Sequence, residues 1–165
     1  MAGKTYLKYL EDEFTKDMIR ALRGLGHKAM NQAYAKKRFK NRTGNLHDSY
    51  ATAVFVDGTI VQSTLRYLDN PLSTRRDPKT HKTGHETAKD YMSTHSFGKK
   101  GEIVLVVIAA MYYARILEDQ KSIRVISPAR SYIDYNWEKT VAPVYAKYGI
   151  KTKPRAVVTR GTSLK

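Results

Sequence analysis

Apolar residues Leu7, Leu10, Phe14, Met18, Leu22, Leu25, Ala29 and Ala33 recur at three- and four-residue steps, with Glu11, Asp12, Lys16 and Arg23 on the opposite side. This spacing predicts a long amphipathic N-terminal helix. Gly24 and Gly26 each weaken a helix by roughly 1 kcal/mol relative to Ala, so a kink or break is expected near them. Thr43-Gly44-Asn45-Leu46 interrupts the pattern. There Asn45 is expected to cap a short turn, with Asp48 reaching back to the cap backbone.

Residues 51–56 and 59–65 are rich in Val, Ile, Thr and Phe and are separated by Asp57-Gly58. That dipeptide suits the two positive φ angles of a type I′ turn, so the two stretches read as the strands of a hairpin. From Arg66 to Gly101 no period is sustained, and Pro71, Pro78 and many polar residues mark a long insertion loop. Glu102–Ile108 reads as a buried strand. A short helix follows over Met111–Asp119, with Tyr112, Tyr113, Ile116 and Leu117 inward. A last short strand fits Ile123–Ile126. Ser127-Pro128 then opens a helix with Ser as cap and Pro at the first position. Ile133, Trp137, Val141, Val144 and Tyr148 form its inward face, and Gly149 ends it.

These elements predict an α+β fold: a small, mostly antiparallel sheet with helices packed on one face, flanked by the long N-terminal helix and the C-terminal helix. Residues 1–148 form one domain that includes the extended insertion loop 66–101, and residues 149–165 form a basic C-terminal tail. Phe14, Met18, Leu22, Phe55, Val104, Val106, Ile133 and Trp137 are expected in one core. The loop and the tail are expected to act as arms that reach neighbouring molecules, because neither carries enough periodic apolar residues to fold back.

Charge changes this picture more than composition does. Thirty Lys and Arg against 15 Asp and Glu give a net charge of +15 on 165 residues. Self-repulsion on this scale calls for counterions, nucleic acid or acidic neighbours. The excess is concentrated: Lys36, Lys37, Arg38, Lys40 and Arg42 put five cations into seven residues, and Lys151, Lys153, Arg155, Arg160 and Lys165 lie in a tail without an acid. Both runs read as contact segments for DNA phosphates or acidic protein surfaces. Cations without an ordered base-reading element track phosphates and do not read sequence.

The chain has no cysteine, which excludes disulfides and thiolate zinc sites. No stretch reaches membrane-spanning length and the N-terminus lacks the pattern of an export signal, so a soluble protein is expected. His81, His85 and His95 lie in the polar insertion near Glu86, but Thr83-Gly84 disfavours a shared helix face, and solvated loop histidines are expected in place of a metal site. Ser49 and Ser131 lack a nucleophile-elbow context, no phosphate-cradling Gly-rich loop is present, and the carboxylates are scattered. Neither an enzyme nor a cofactor is expected. Of the twelve tyrosines, Tyr112, Tyr113, Tyr132, Tyr135, Tyr145 and Tyr148 gather in the second half, where packing in the core or between subunits is favoured over base stacking.

The run Arg42-Thr43-Gly44-Asn45-Leu46-His47-Asp48-Ser49, after a basic amphipathic helix and before a hairpin, resembles a family of tailed-phage neck proteins, the tail-completion or head-tail joining proteins. A strand leading into Met111-Tyr112-Tyr113-Ala114-Arg115-Ile116-Leu117-Glu118, then Ser127-Pro128-Ala129-Arg130 at the head of the last helix, repeats that family's order of landmarks. The resemblance spans most of residues 1–148. It rests on Thr43, Gly44, Asn45, Leu46, Tyr113, Ala114, Glu118, Pro128 and Ala129. Two features depart from the family: Asp119-Gln120-Lys121 follows Glu118 where the family has Gly, and the 66–101 loop is longer. The resemblance implies a homo-oligomeric ring, commonly twelve-fold, in the virion neck. Such a ring is assembled in the host cytoplasm between portal or adaptor and tail proteins, with genomic double-stranded DNA in its lumen. From another class, a sequence-independent nucleic-acid-binding module accounts for the charge alone; it lacks any reading motif.

Overall fold

In the computed structural model, which describes residues 2–36, 44–65, 75–120 and 123–151, the N-terminal apolar stripe forms one unbroken helix, α1 (Ala2–Ala35). Met18, Leu22, Leu25, Ala29, Met30 and Ala33 are all buried. The helix passes through Gly24 and Gly26 without interruption. Gly26 is a contact point: a Cβ there would overlap Thr52 Oγ1 and lie 2.8 Å from Leu105 Cδ1. The missing side chain lets α1 sit directly on the sheet.

After the four-residue helix α2 (Asn45–Asp48), β1 (Tyr50–Val56) and β2 (Thr59–Leu65) form the expected hairpin. Its turn residues, Asp57 and Gly58, have φ of 53° and 75°, the two positive values that a type I′ turn requires. With β3 (Ile103–Ala109) the sheet has the order β2-β1-β3 and both pairings are antiparallel. Ala53 sets the register, opposite Ser63 on one side and Val106 on the other. An extra residue, Val61, bulges from β2 between the Val54–Gln62 and Phe55–Ile60 pairs.

The fold is α+β, as the pattern predicts, but the sheet is covered on both faces. On one face Val54, Ile103 and Leu105 meet Met18, Leu22 and Leu25 of α1 together with Val141, Ile133 and Trp137 of α5 (Ser127–Lys147). On the other, Ala51, Ala53, Phe55, Val104 and Val106 meet Ala88 and Met92. The single expected core is therefore split. Phe55, Val104 and Val106 point away from Phe14, Met18, Leu22, Ile133 and Trp137, since successive strand residues face opposite sides.

Ala88 and Met92 belong to α3 (Gly84–Thr94), a helix inside the stretch expected to be loop. Thr83 is its cap: Thr83 Oγ1 accepts from the Glu86 N–H at 3.2 Å, and the Glu86 carboxylate accepts from the Thr83 N–H at 2.8 Å. This reciprocal pair outweighs the helix-breaking tendency of Thr83-Gly84. Ahead of it, the buried Asp77 carboxylate accepts from the Lys79 and Thr80 N–H groups at 2.9 and 3.0 Å. Residues 75–101 are thus folded onto the sheet and are not an arm. Residues 66–74, and the tail beyond Lys151, lie outside the described residues.

The helix α4 is shorter than expected, Ala114–Gln120. Tyr113 and Leu117 face the core, whereas Ile116 is 44% exposed. Residues 123–126 are not a strand, and helix α5 already includes Ser127, so Ile126 takes the cap position with no side-chain cap. Of the inward residues expected on α5, Val141 is buried and Ile133, Trp137 and Val144 pack beside it. Tyr148 sets its ring edge-on to Phe14 at 5.5 Å. Tyr135 is exposed and so is not part of the core, one of the two placements expected of it. Gly149, with φ 67°, ends the helix, and the Ile150 N–H donates back to the Tyr145 carbonyl at 3.0 Å.

Candidate functional site

The landmark residues converge. Leu46, Ala114 and Ala129, from three separate segments, are members of one buried cluster under the C-terminal half of α1, with Ala29, Met30, Ala33, Tyr50, Met111 and Val125; Tyr113 packs against it. Pro128 is buried at the start of α5. Gly44 takes a left-handed conformation (φ 78°) at the head of α2, where only Gly is unstrained. Thr43 lies outside the described residues.

Asn45 does not cap its own turn. Its side-chain oxygen accepts from the Gly84 N–H at 3.1 Å, satisfying a donor in the first turn of α3. Gly84 is needed there, because a Cβ would overlap the Asn45 carbonyl oxygen and lie 2.7 Å from its carbonyl carbon. His47 and Asp48 are both buried, with His47 Nδ1 2.7 Å from Asp48 Oδ1 and the Tyr34 ring edge-on to His47 at 4.2 Å. The Ser49 hydroxyl donates to the Leu46 carbonyl at 2.8 Å, and the Tyr50 hydroxyl donates to the Val125 carbonyl at 2.7 Å.

Glu118 completes the corner. Its carboxylate accepts three backbone N–H groups, those of Val125 (2.6 Å), Ile126 (2.7 Å) and Ser127 (3.1 Å). Ile126, the cap residue, and Ser127 carry donors that a helix start leaves without intrahelical partners, Val125 lies just ahead of the helix, and a carboxylate is also favoured at this end of the helix dipole. The same bonds occupy the N–H groups of Val125 and Ile126, which a strand would use in a ladder, and the Ile123 N–H donates to the Leu117 carbonyl at 3.1 Å. Nothing in the local sequence announces either this clamp or the Asn45–Gly84 bond, because each joins residues from separate elements.

Lys36 and Lys151, the described members of the two basic runs, are not brought together. Contacts of Phe14 with Tyr145 and of Asp17 with Lys147 at one end, and the buried cluster that Ala29 and Met30 share with Ala129 at the other, set α1 and α5 antiparallel. Lys36 is exposed just past the end of α1, and Lys151 is exposed just past the end of α5. A helix length of roughly 25–30 Å at 1.5 Å per residue separates them. Lys37, Arg38, Lys40, Arg42, Lys153, Arg155, Arg160 and Lys165 lie outside the described residues. Between the two ends, α1 turns Lys16, Arg20, Arg23 and His27 outward in a single stripe. Lys16 and Arg20 are paired with Glu13 and Asp17 at 2.9 and 3.5 Å. The four-three-four spacing of this stripe is its sequence signal.

The histidines stand apart. His81 sits in a turn at φ 54°, His85 in the first turn of α3, and His95 stacks on Tyr91 at 4.0 Å. Among the described residues no group of three His, Cys, Asp or Glu is placed to hold a metal ion. A shallow hollow lined by Arg76, Lys82, Glu86, Lys89, Asp90 and Ser93 has Arg76 paired to Glu86 and Lys82 to Asp90. No described helix is long and apolar enough to cross a membrane. Comparison with protein-family models, curated proteins and solved structures finds no match to this chain.

Proposed function

We propose that this protein is a structural subunit of a tailed-phage head-tail connector. In this reading it forms a homo-oligomeric ring in the virion neck, joining portal or adaptor to tail around the DNA exit channel. One observation carries the reading: the three sequence landmarks that resemble those of tail-completion proteins meet in one buried corner, where their described residues have packing, backbone or hydrogen-bonding tasks. Gly44 supplies a left-handed backbone, Leu46, Ala114 and Ala129 supply small or apolar packing, and Glu118 holds the start of the last helix. Landmarks with a joint structural task are a better sign of a shared fold than a string of surface residues.

The role is architectural and not catalytic. The net charge of +15 supports a channel subunit, since a ring repeats each basic segment about its axis and holds duplex DNA through phosphates without reading sequence. The same charge supports the second reading, a sequence-independent nucleic-acid-binding module. Native mass measurement of the full-length protein separates the two: a closed ring is expected for the connector subunit, and a monomer or dimer that binds DNA would favour the module.

A further inference from the structure

The sheet carries an anomaly at both of its edges. Edge strands of soluble proteins are normally blunted with charge, with Pro or with a covering element, because their free N–H and C=O groups template pairing with another chain. Here β2 (Thr-Ile-Val-Gln-Ser-Thr-Leu) and β3 (Ile-Val-Leu-Val-Val-Ile-Ala) contain no charged residue and no Pro, in a chain of which 27% is charged. The β3 sequence is apolar on both faces, the composition of a strand buried inside a sheet. Yet it lies at an edge, and all seven of its residues are only partly buried. Among the described residues, no backbone hydrogen bond from another element reaches the outer edge of either strand. Ile60, Val61 and Ser63 on β2 are exposed.

We propose that β3 of one subunit pairs with β2 of the next, so that the sheet continues from copy to copy. This inference rests on the ring reading above and names its subunit contact. A second copy is the occupant that fits. Two molecules at +15 repel each other wherever their charged surfaces meet, and these two edges are uncharged stretches of equal length on opposite sides of one sheet. A contact between two different edges is heterologous and closes into a ring when the rotation allows. β2 and β3 both run antiparallel to β1, so they run parallel to each other. A cyclic rotation preserves strand sense, and the joint is therefore a parallel pair. The bulge at Val61 confines regular pairing on β2 to Gln62–Leu65.

The chain has no cysteine, which makes the joint directly testable. Ser63→Cys is combined in turn with Val104→Cys, Val106→Cys and Ile108→Cys, and each assembled protein is oxidised. Within one subunit Ser63 and Val106 both face Ala53 across β1, about 9.5 Å apart at ordinary strand spacing and too far for an internal disulfide. The expected result is a ladder of covalent multimers in at least one double variant and none in the single variants. Covalent dimers from a single variant would mean that like edges pair, and would overturn the proposal. Absence of disulfides in all three double variants of an intact ring would also overturn it while leaving the ring reading in place. Absence of a ring in the unaltered protein would defeat that reading first. As a second check, Ser63→Lys places charge at an exposed position and is expected to abolish the ring without changing the subunit's circular dichroism. Retention of the ring would contradict the joint.

Discussion

The Ile126 N–H donates to the Glu118 carboxylate at 2.7 Å, joining the last turn of α4 to the residue that caps α5. This bond and its two neighbours, from Val125 and Ser127, do what a side-chain cap does in most helices, but from a separate element. Glu118→Gln keeps one acceptor oxygen but loses the charge and turns an amide donor toward other donors. It should cost about 1–2 kcal/mol, and Glu118→Ala about 2–3 kcal/mol. Urea denaturation midpoints of the three proteins give the comparison. Equal midpoints would show that the clamp contributes nothing.

Two glycines two positions apart on the helical pattern should respond in opposite directions. Gly24 has open space around it, so Gly24→Ala should stabilise the protein by about 0.5–1 kcal/mol through helix propensity. Gly26 faces Thr52, whose hydroxyl is held by the Val106 carbonyl at 3.0 Å and cannot easily move away. Gly26→Ala should therefore destabilise by about 1–3 kcal/mol despite the same gain in propensity. Thermal unfolding of the two variants checks the contrast.

Asp17 accepts from the Lys147 ammonium at 2.5 Å and the Tyr148 hydroxyl at 2.9 Å. The bond from Lys147, then that from Tyr148, holds the Asp17 carboxyl below its usual 3.8, and Asp17 in turn holds Lys147 above its usual 10.5. A lowered carboxyl stabilises fully above its unfolded value and loses that effect as pH falls through the folded one. A raised ammonium stabilises fully below its unfolded value and loses the effect as pH rises through the folded one. The gap in melting temperature between the native protein and Asp17→Asn should thus stay constant over about pH 5–9 and narrow toward both extremes. A gap that does not change with pH would show that the ion pair is energetically silent.

Replacing Lys36, Lys37, Arg38, Lys40 and Arg42 by Gln should weaken duplex binding without altering sequence preference. It should reduce the salt slope of log K by about 4–5, since each phosphate contact contributes about 0.9. An unchanged slope in an intact assembly would place this cluster against protein.

The hairpin, α1 and α5 were legible because each carries a local signal with a mechanism: positive-φ turn residues at Asp57-Gly58, a 3.6-residue stripe through Met18, Leu22 and Leu25, and Pro128 at a helix start. Helix α3 was missed because Gly84 reads as a breaker, although Thr83 and Glu86 form a capping box and Ala88 and Met92 lie four apart on one face. The second layer it adds to the sheet explains why β1 shows no polar alternation: it is buried on both sides. Residues 123–126 look like a strand by composition, but their fate is decided by Glu118, a partner that no local window contains. Of the candidate contact residues, the sequence identifies the clusters; it does not show that Lys36 and Lys151 leave the α1–α5 pair from opposite ends.

If copies of this chain build a ring around DNA, single-particle electron microscopy of the full-length protein should show closed rings of one subunit number, with an opening wide enough for duplex DNA. Uniform monomers or dimers at all protein concentrations, with or without DNA, would contradict it.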